Sequence, residues 1–307
     1  MGNDTTGLFQ TLVASASTAA ESLKYQNAFL DGVYWEHRPD PVQPFTSLNV
    51  IIPTVNEADV TDIGSGAIAT SDAKHNSVAV PFNKHFSTSF LLPTWDQART
   101  PVQLAQKYLK PKLEGLMRKV NRTIAALVTT GNFSTYSLIS GAGADEIVRA
   151  DIGLAWQNLA AAGAPTEDDG NMFLIESVKS YGNQVADSNF INQYVVGENA
   201  AVQAQQRAKL VTQYGCEVRY DQHLAAYNAG KEPGILMHRY AIAAVTSPPP
   251  PSNDPSVKES IFKVKNVLPV QMQMQYSLKD QGTIVHLHCF WGVVVARPEL
   301  GSLIESA

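Results

Sequence analysis

The sequence predicts an α+β fold made of long, non-local strands and one long helix, and three stretches carry that prediction. Val78 to Leu92 alternates in period two. Val78, Val80, Phe82, Lys84, Phe86, Thr88, Phe90 and Leu92 share one side, and mostly small or polar residues occupy the other. Such alternation marks a half-buried strand. At about 3.3 Å per residue it would reach on the order of 50 Å, against a usual strand length of roughly 17–20 Å. Directly after it, Thr100 to Thr130 reads as a long helix. Residues 141–246 then mix helical and strand patterns as a compact α/β unit, and long strands return from residue 258.

The first long strand has a partner in the Val- and Ile-rich run Phe45, Ser47 to Ile52. Between them EADVTDIGSGAIATSDAKHN has the Gly, Ser, Ala and Asp content of a loop. The expectation is a projecting hairpin. A lone hairpin is marginal in water, and a Phe/Val stripe left bare would aggregate. Either a neighbouring copy covers the stripe, or the hairpin lies flat on its own domain.

The long helix opens with Thr100 as a cap and Pro101 at its first position, and Pro111 should kink it. Leu113, Leu116, Met117, Val120, Ile124, Leu127 and Val128 recur at helical spacing, with Lys112, Arg118, Lys119 and Arg122 elsewhere on its surface. Gly131 is the expected stop. Before the hairpin, Thr18 to Leu30 reads as a short helix, and HRPDPVQP as extended linker. Past the helix, DEIVRADIGLAWQNLAAAG is amphipathic, MFLIES and CEVRY read as strands, and helices are expected at about 179–193 and 200–213. HRYAIAAVT runs into SPPPPSNDP, the sharpest linker. Val270, Met272, Met274, Tyr276 and Leu278 face one way against glutamines. GTIVHLHCFWGVVVARPE is apolar on both faces, as a central strand is.

At 307 residues, 44% hydrophobic and 17% charged, the chain has ordinary globular composition. A formal net charge of -5 argues against a protein that wraps nucleic acid by basic attraction. No stretch approaches the roughly 20 apolar residues of a membrane span. Cys216 and Cys289 make no disulfide framework. Gly2 and Thr6 match the short myristoylation pattern, and Asn3, Asn121 and Asn132 open sequons; neither motif is specific.

Chemistry-bearing signals are sparse. GAGADE at 141–146 half-matches a dinucleotide fingerprint, but Glu146 stands where the third glycine belongs and would repel a pyrophosphate. His286 and His288 share a strand face beside Cys289; two imidazoles do not close a zinc site, and a thiol–imidazole nucleophile lacks a third member. Asp168 and Asp169 read as a turn, and Arg239 as a partner for a carboxylate. The expectation is no catalytic residue, no cofactor and no metal.

The order of parts resembles the major capsid protein of tailed bacteriophages, the Hong Kong-type phage capsid fold. VAVPFNKHFSTSFLL, then WDQ and KPKLEGLMRKVNRTIAALV, resembles the extended-loop strand leading into the spine helix. MFLIESVKSYGNQVADSNF resembles the strand, helix and turn of the axial domain, and FWGVVVARPELG the closing strand. The resemblance implies an N-terminal arm at 1–44, an extended loop at 45–95 and a peripheral domain with the spine helix at 96–140. It further implies an axial α/β domain at 141–257, with strands at 258–307 completing the peripheral and axial domains. The implied function is self-assembly of hexamers and pentamers into an icosahedral shell around double-stranded DNA. The shell would form in the host cytoplasm with a separate scaffolding protein and a portal, and without membrane association. Val78, Val80, Phe82, Lys84, Phe86, Phe90, Leu23 and Tyr25 are the implied inter-subunit contacts. Lys74 and Lys84 lie in the loop, but no matching asparagine and glutamate stand out, so no crosslink is expected. Three other readings stay open: an encapsulin-type compartment shell, a cytoplasmic enzyme using Cys289, and a phage tail-tube or other structural protein.

Overall fold

In the computed structural model, residues 9–10, 12–16, 27–43, 45–52, 76–93, 104–137, 147, 149–168, 170–186, 210, 214–224, 234–264 and 267–305 are described. The longest strand, β12 (Gly282–Val295), organises the rest. The antiparallel strand β4 (Lys84–Pro93) pairs along one of its edges, from Gly282 to Trp291. Its other edge is shared end to end: β11 (Leu268–Ser277) takes Gly282 to His288, and β9 (Ile242–Ser247) takes Phe290 to Val295. β10 (Lys258–Val264) extends the sheet beyond β11, and β1 (Tyr34–His37) joins β9 in parallel. Paired on both edges and largely buried, β12 fits its two-sided apolar sequence.

A second, five-stranded sheet has the order β5-β13-β8-β6-β7, with β5 Ser134–Ser137, β6 Met172–Ser177, β7 Glu217–Asp221, β8 Gly234–His238 and β13 Gly301–Glu305. β8 and β9, separated by only three residues, lie in different sheets. A 3₁₀ turn at Arg239–Ala241 carries the chain across, and the His238 side chain accepts the Tyr240 N–H at its start. β10 and β11, also a single run in sequence, fold back on each other as a hairpin. Both sheets contribute to one core that joins Phe90, Met272, Val285 and Leu287 to Phe173, Ile235 and Leu303.

The long helix is shorter than its pattern. A π-helical turn, Ala105–Leu109, immediately precedes α2 (Lys110–Ala125). Pro111 explains the widening, because its ring cannot accept the carbonyl four residues earlier in α-helical register. The expected cap at Thr100 lies outside the described residues. The helix ends five residues before Thr130: Leu127 and Val128 bond to Ile124 and Ala125, three residues back, and the Asn132 amide donates to the Leu127 carbonyl. Of the arm, Leu12, Ala16 and the short helix α1 (Ala28–Gly32) pack into the chain's own core. The amphipathic stretch forms α3 (Arg149–Ala161), closed by Gly163 at φ 76.

The alternating strand is two strands. β3 (Asn76–Phe82) pairs with β2 (Thr46–Ile52) as a separate ribbon, and a single unpaired residue, Asn83, leads into β4. The period-two phase survives the break, with even positions inward and odd ones outward or nearly so from Ser77 to Leu92. The ribbon lies over one face of the large sheet, where Val50, Ile52 and Val80 cover Ala243 and Val245. Gly292 permits this: a Cβ there would sit 2.2 Å from the Pro81 carbonyl oxygen and 3.1 Å from the Phe82 Cα. Gly115, exposed on α2, has nothing within 4 Å.

In the smaller sheet, Glu176 is fully buried. One of its carboxyl oxygens accepts the Gln184 amide at 2.6 Å, and Ser180 Oγ lies 3.4 Å from the other. Both partners stand on α4 (Val178–Ala186), directly after β6. Burial outweighs those bonds and pushes the Glu176 pKa up to about 8, so the side chain is held as the neutral acid.

The two glycines and the buried acid can each be tested by substitution. Gly292→Ala should destabilise the chain by about 1–3 kcal/mol or more in denaturant unfolding, because backbone must move. Gly115→Ala should stabilise it by about 0.5–1 kcal/mol. For Glu176, a folded-state pKa above the unfolded one means that the folded chain holds the extra proton between the two values. Stability should therefore fall as pH rises from about 4.5 to about 8, and Glu176→Gln should flatten that slope. An unchanged slope in the variant would remove Glu176 as its source.

Candidate assembly surface

The residues expected to meet a neighbour fall into three groups. Val80, Phe82 and Phe90 are buried within the chain. Phe82 lies against Phe290, at 6.4 Å between ring centres, and Phe90 stacks on Tyr108. Val78, Lys84 and Phe86 are half-buried; Phe86 meets Trp291 edge-on at 5.7 Å. Leu23 and Tyr25 lie outside the described residues, as do the loop tip at 53–75 and the GAGADE stretch. The described root of the hairpin therefore lies flat on its own domain, one of the two arrangements that the sequence left open.

The outward face of the ribbon carries the apolar surface instead. Phe45 is 82% exposed and Ile51 56% exposed. Phe45 has φ 66, a left-handed conformation rare for a bulky residue, and its N–H donates to the Phe82 carbonyl at 2.8 Å. Among the described residues, this ring at the strand entry buries little of its surface within the subunit. At the far end of the large sheet, the turn joining β11 to β12 exposes Tyr276 and Leu278. Sequence patterning placed both on the apolar face of β11, but that face runs out of core after Met274.

The groups that could do chemistry are separated or occupied. β12 alternates, so Cys289 faces the core while His286, His288 and Phe290 face the ribbon side. Burial pushes the Cys289 thiol up to about 12, the reverse of an activated nucleophile. His85 stacks on Phe290, with ring centres 4.1 Å apart, and its Nε2 is 3.3 Å from His288 Nδ1. Burial, then the neighbouring His286 and His85, push His288 down to about 4. Among the described residues, no group of three His, Cys, Asp or Glu side chains could hold a metal ion. Asp168 does engage a histidine. His238 Nδ1 accepts the Tyr240 N–H, which leaves its proton on Nε2, 3.2 Å from the Asp168 carboxylate. Both imidazole nitrogens are thus used in holding the β8 exit. Arg239 reaches the Asp31 carbonyl rather than a carboxylate, and lies over Phe173.

One buried contact that the sequence did not single out ties the elements together. Asn121 of α2 is fully buried. Its oxygen accepts the Phe29 N–H at 3.1 Å, and its amide donates to Asp221 at the end of β7. An asparagine so placed is no glycan acceptor, whatever its sequon. The only hint in the sequence was a polar residue on the apolar side of a helix.

No family model matches the sequence, and no curated protein is similar to it. Solved structures are. The capsid of Ralstonia phage GP4 is 9% identical, with a TM-score of 0.58 over 92% of this chain and 91% of that one. The capsid of cyanophage P-SCSP1u is 14% identical, with a TM-score of 0.56 over 92% and 89%. A virus-like particle from Pyrococcus furiosus is 11% identical, with a TM-score of 0.53 over 96% and 98%. Likenesses that span nine-tenths of both chains fix the architecture: two sheets, a ribbon and one long helix, in the fold of phage major capsid proteins.

Proposed function

We propose that this chain is a structural major capsid protein whose copies form the hexamers and pentamers of an icosahedral shell around a double-stranded DNA genome. The observation that carries this reading is the similarity to phage capsid structures along nearly the whole of both chains. In this reading 1–44 is the arm, 45–95 the loop, 96–140 the peripheral domain with its spine, 141–257 the axial domain and 258–307 the completing strands. The particle assembles in the host cytoplasm with a separate scaffolding protein and a portal. The role is structural rather than enzymatic, a view supported by the inert Cys289 thiol and by the engagement of His238 in holding a strand end. A second reading is an encapsulin-type compartment; the likeness to a virus-like particle fits a closed shell of either kind.

Physically, a thin wall needs many modest contacts, and the ribbon's outer face offers one. We assign Phe45 and Ile51 to it; Val78 turns to the underside of the ribbon, and Lys84 and Phe86 to the core face of the large sheet. Copies that meet through different patches can close into rings.

Negative-stain electron microscopy, with absorbance at 260 and 280 nm, tests the proposal. Closed shells with nucleic acid are expected; shells that hold protein and no nucleic acid point to the compartment, and discrete small oligomers with no shells reject both. Phe45→Asp should block shell closure and leave the unfolding midpoint unchanged or higher, because Asp tolerates φ above zero better than Phe. Shells from that variant as abundant as from the parent would remove Phe45 from the interface.

A further inference from the structure

The charge of this chain is unevenly spread. Residues 105–125 hold Lys107, Lys110, Lys112, Arg118, Lys119 and Arg122 against the single acid Glu114, a net of +5 in a chain whose total is -5. The other residues therefore sum to -10. All six basic side chains are exposed, and Glu114 is paired with Arg118 at 2.7 Å. The buried side of the helix, Leu113, Leu116, Met117, Val120 and Ile124, is spent on the core. The outward side of these described residues thus carries six cations and one acid, with Lys112 and Lys119 exposed upon it. Lys112 and Lys119, two turns apart, border a groove of about 550 Å³ whose far wall is His85 to Thr88 of β4. Gly115 stands between them, with open space where a side chain would be.

We propose that this basic face of α2 is a contact surface for the phosphate backbone of double-stranded DNA, and hence the side of the subunit turned toward the interior of the shell. The inference rests on the shell reading above. Three features favour a nucleic acid over a protein. The strip is rich in Lys, which protein–protein interface cores avoid, and it exposes no large apolar anchor. It is straight: the 16 residues of α2 span about 24 Å at 1.5 Å each. That length matches about seven phosphates on one strand of a duplex. Contact of this kind is independent of sequence, weak in physiological salt and repeated over many copies, as a wall against a packed genome requires.

The test uses the full chain with a labelled mixed-sequence DNA duplex, followed by fluorescence anisotropy across a potassium chloride series. The parent should bind at low salt and weaken steeply as salt rises. Lys112→Glu with Lys119→Glu should weaken binding by roughly tenfold or more. It should also make the slope of log K against log salt shallower by about 1.8, about 0.9 for each lost phosphate contact. Lys263→Glu with Lys279→Glu, the same charge change on the large sheet, should bind like the parent. Equal loss in both pairs, no binding by the parent, or stronger competition by polyglutamate than by unlabelled duplex would each overturn the proposal, the last by assigning the strip to an acidic protein. Electron microscopy of the same samples separates the two ideas. Shells from a parent that ignores DNA overturn the basic-face inference alone, and DNA binding by a chain that never closes into shells overturns the shell reading alone.

Discussion

Everything in this chain hangs on the pairing of β12. One of its edges is filled by β4 and the other by β11 and then β9, so a single strand brings together segments from the first third and the last quarter of the sequence. Its alternation then separates two worlds. Val285, Leu287, Cys289 and Trp291 enter the common core, while His286, His288 and Phe290 face the ribbon side. The ribbon can settle only because Gly292 withholds a side chain where the Pro81 carbonyl passes. Strand order, core and ribbon placement all follow from those fourteen residues.

The same pairing explains why chemistry is scarce. A thiol beside two histidines in sequence lies on the opposite side of the sheet from them in space. Neighbouring histidines contact one another and an aromatic ring rather than a carboxylate. His238 and Asp168 do form a pair, but both imidazole nitrogens are engaged. What remains on the surface is shape and charge: an apolar ribbon face, an exposed turn at Leu278 and a basic helix.

Much of this was legible in the sequence. Period-two alternation named the inward residues from Val78 to Leu92 correctly, even across the break at Asn83, because one intervening residue keeps the phase. It could not say what covers them, and Val80 and Phe82 turn out to be covered by their own chain. The apolar spacing of α2 was right in its buried face and wrong in its ends, since Pro111 disturbs the turn before it and helix stops depend on local bonds such as that of Asn132. The split between β8 and β9 was invisible, because both are apolar and no Gly or Pro marks the crossing. Asn121 was hidden for a related reason: a polar residue on a helix declares its need for partners but not their identity.

The seat of the ribbon on Gly292 has a mechanical side. Backbone rests on backbone there with no side chain between, and side chains seat the ribbon further along, where Val50, Ile52 and Val80 cover Ala243 and Val245. A small tilt of β2 and β3 about that point displaces anything attached beyond Ile52 and Asn76 through a much larger arc.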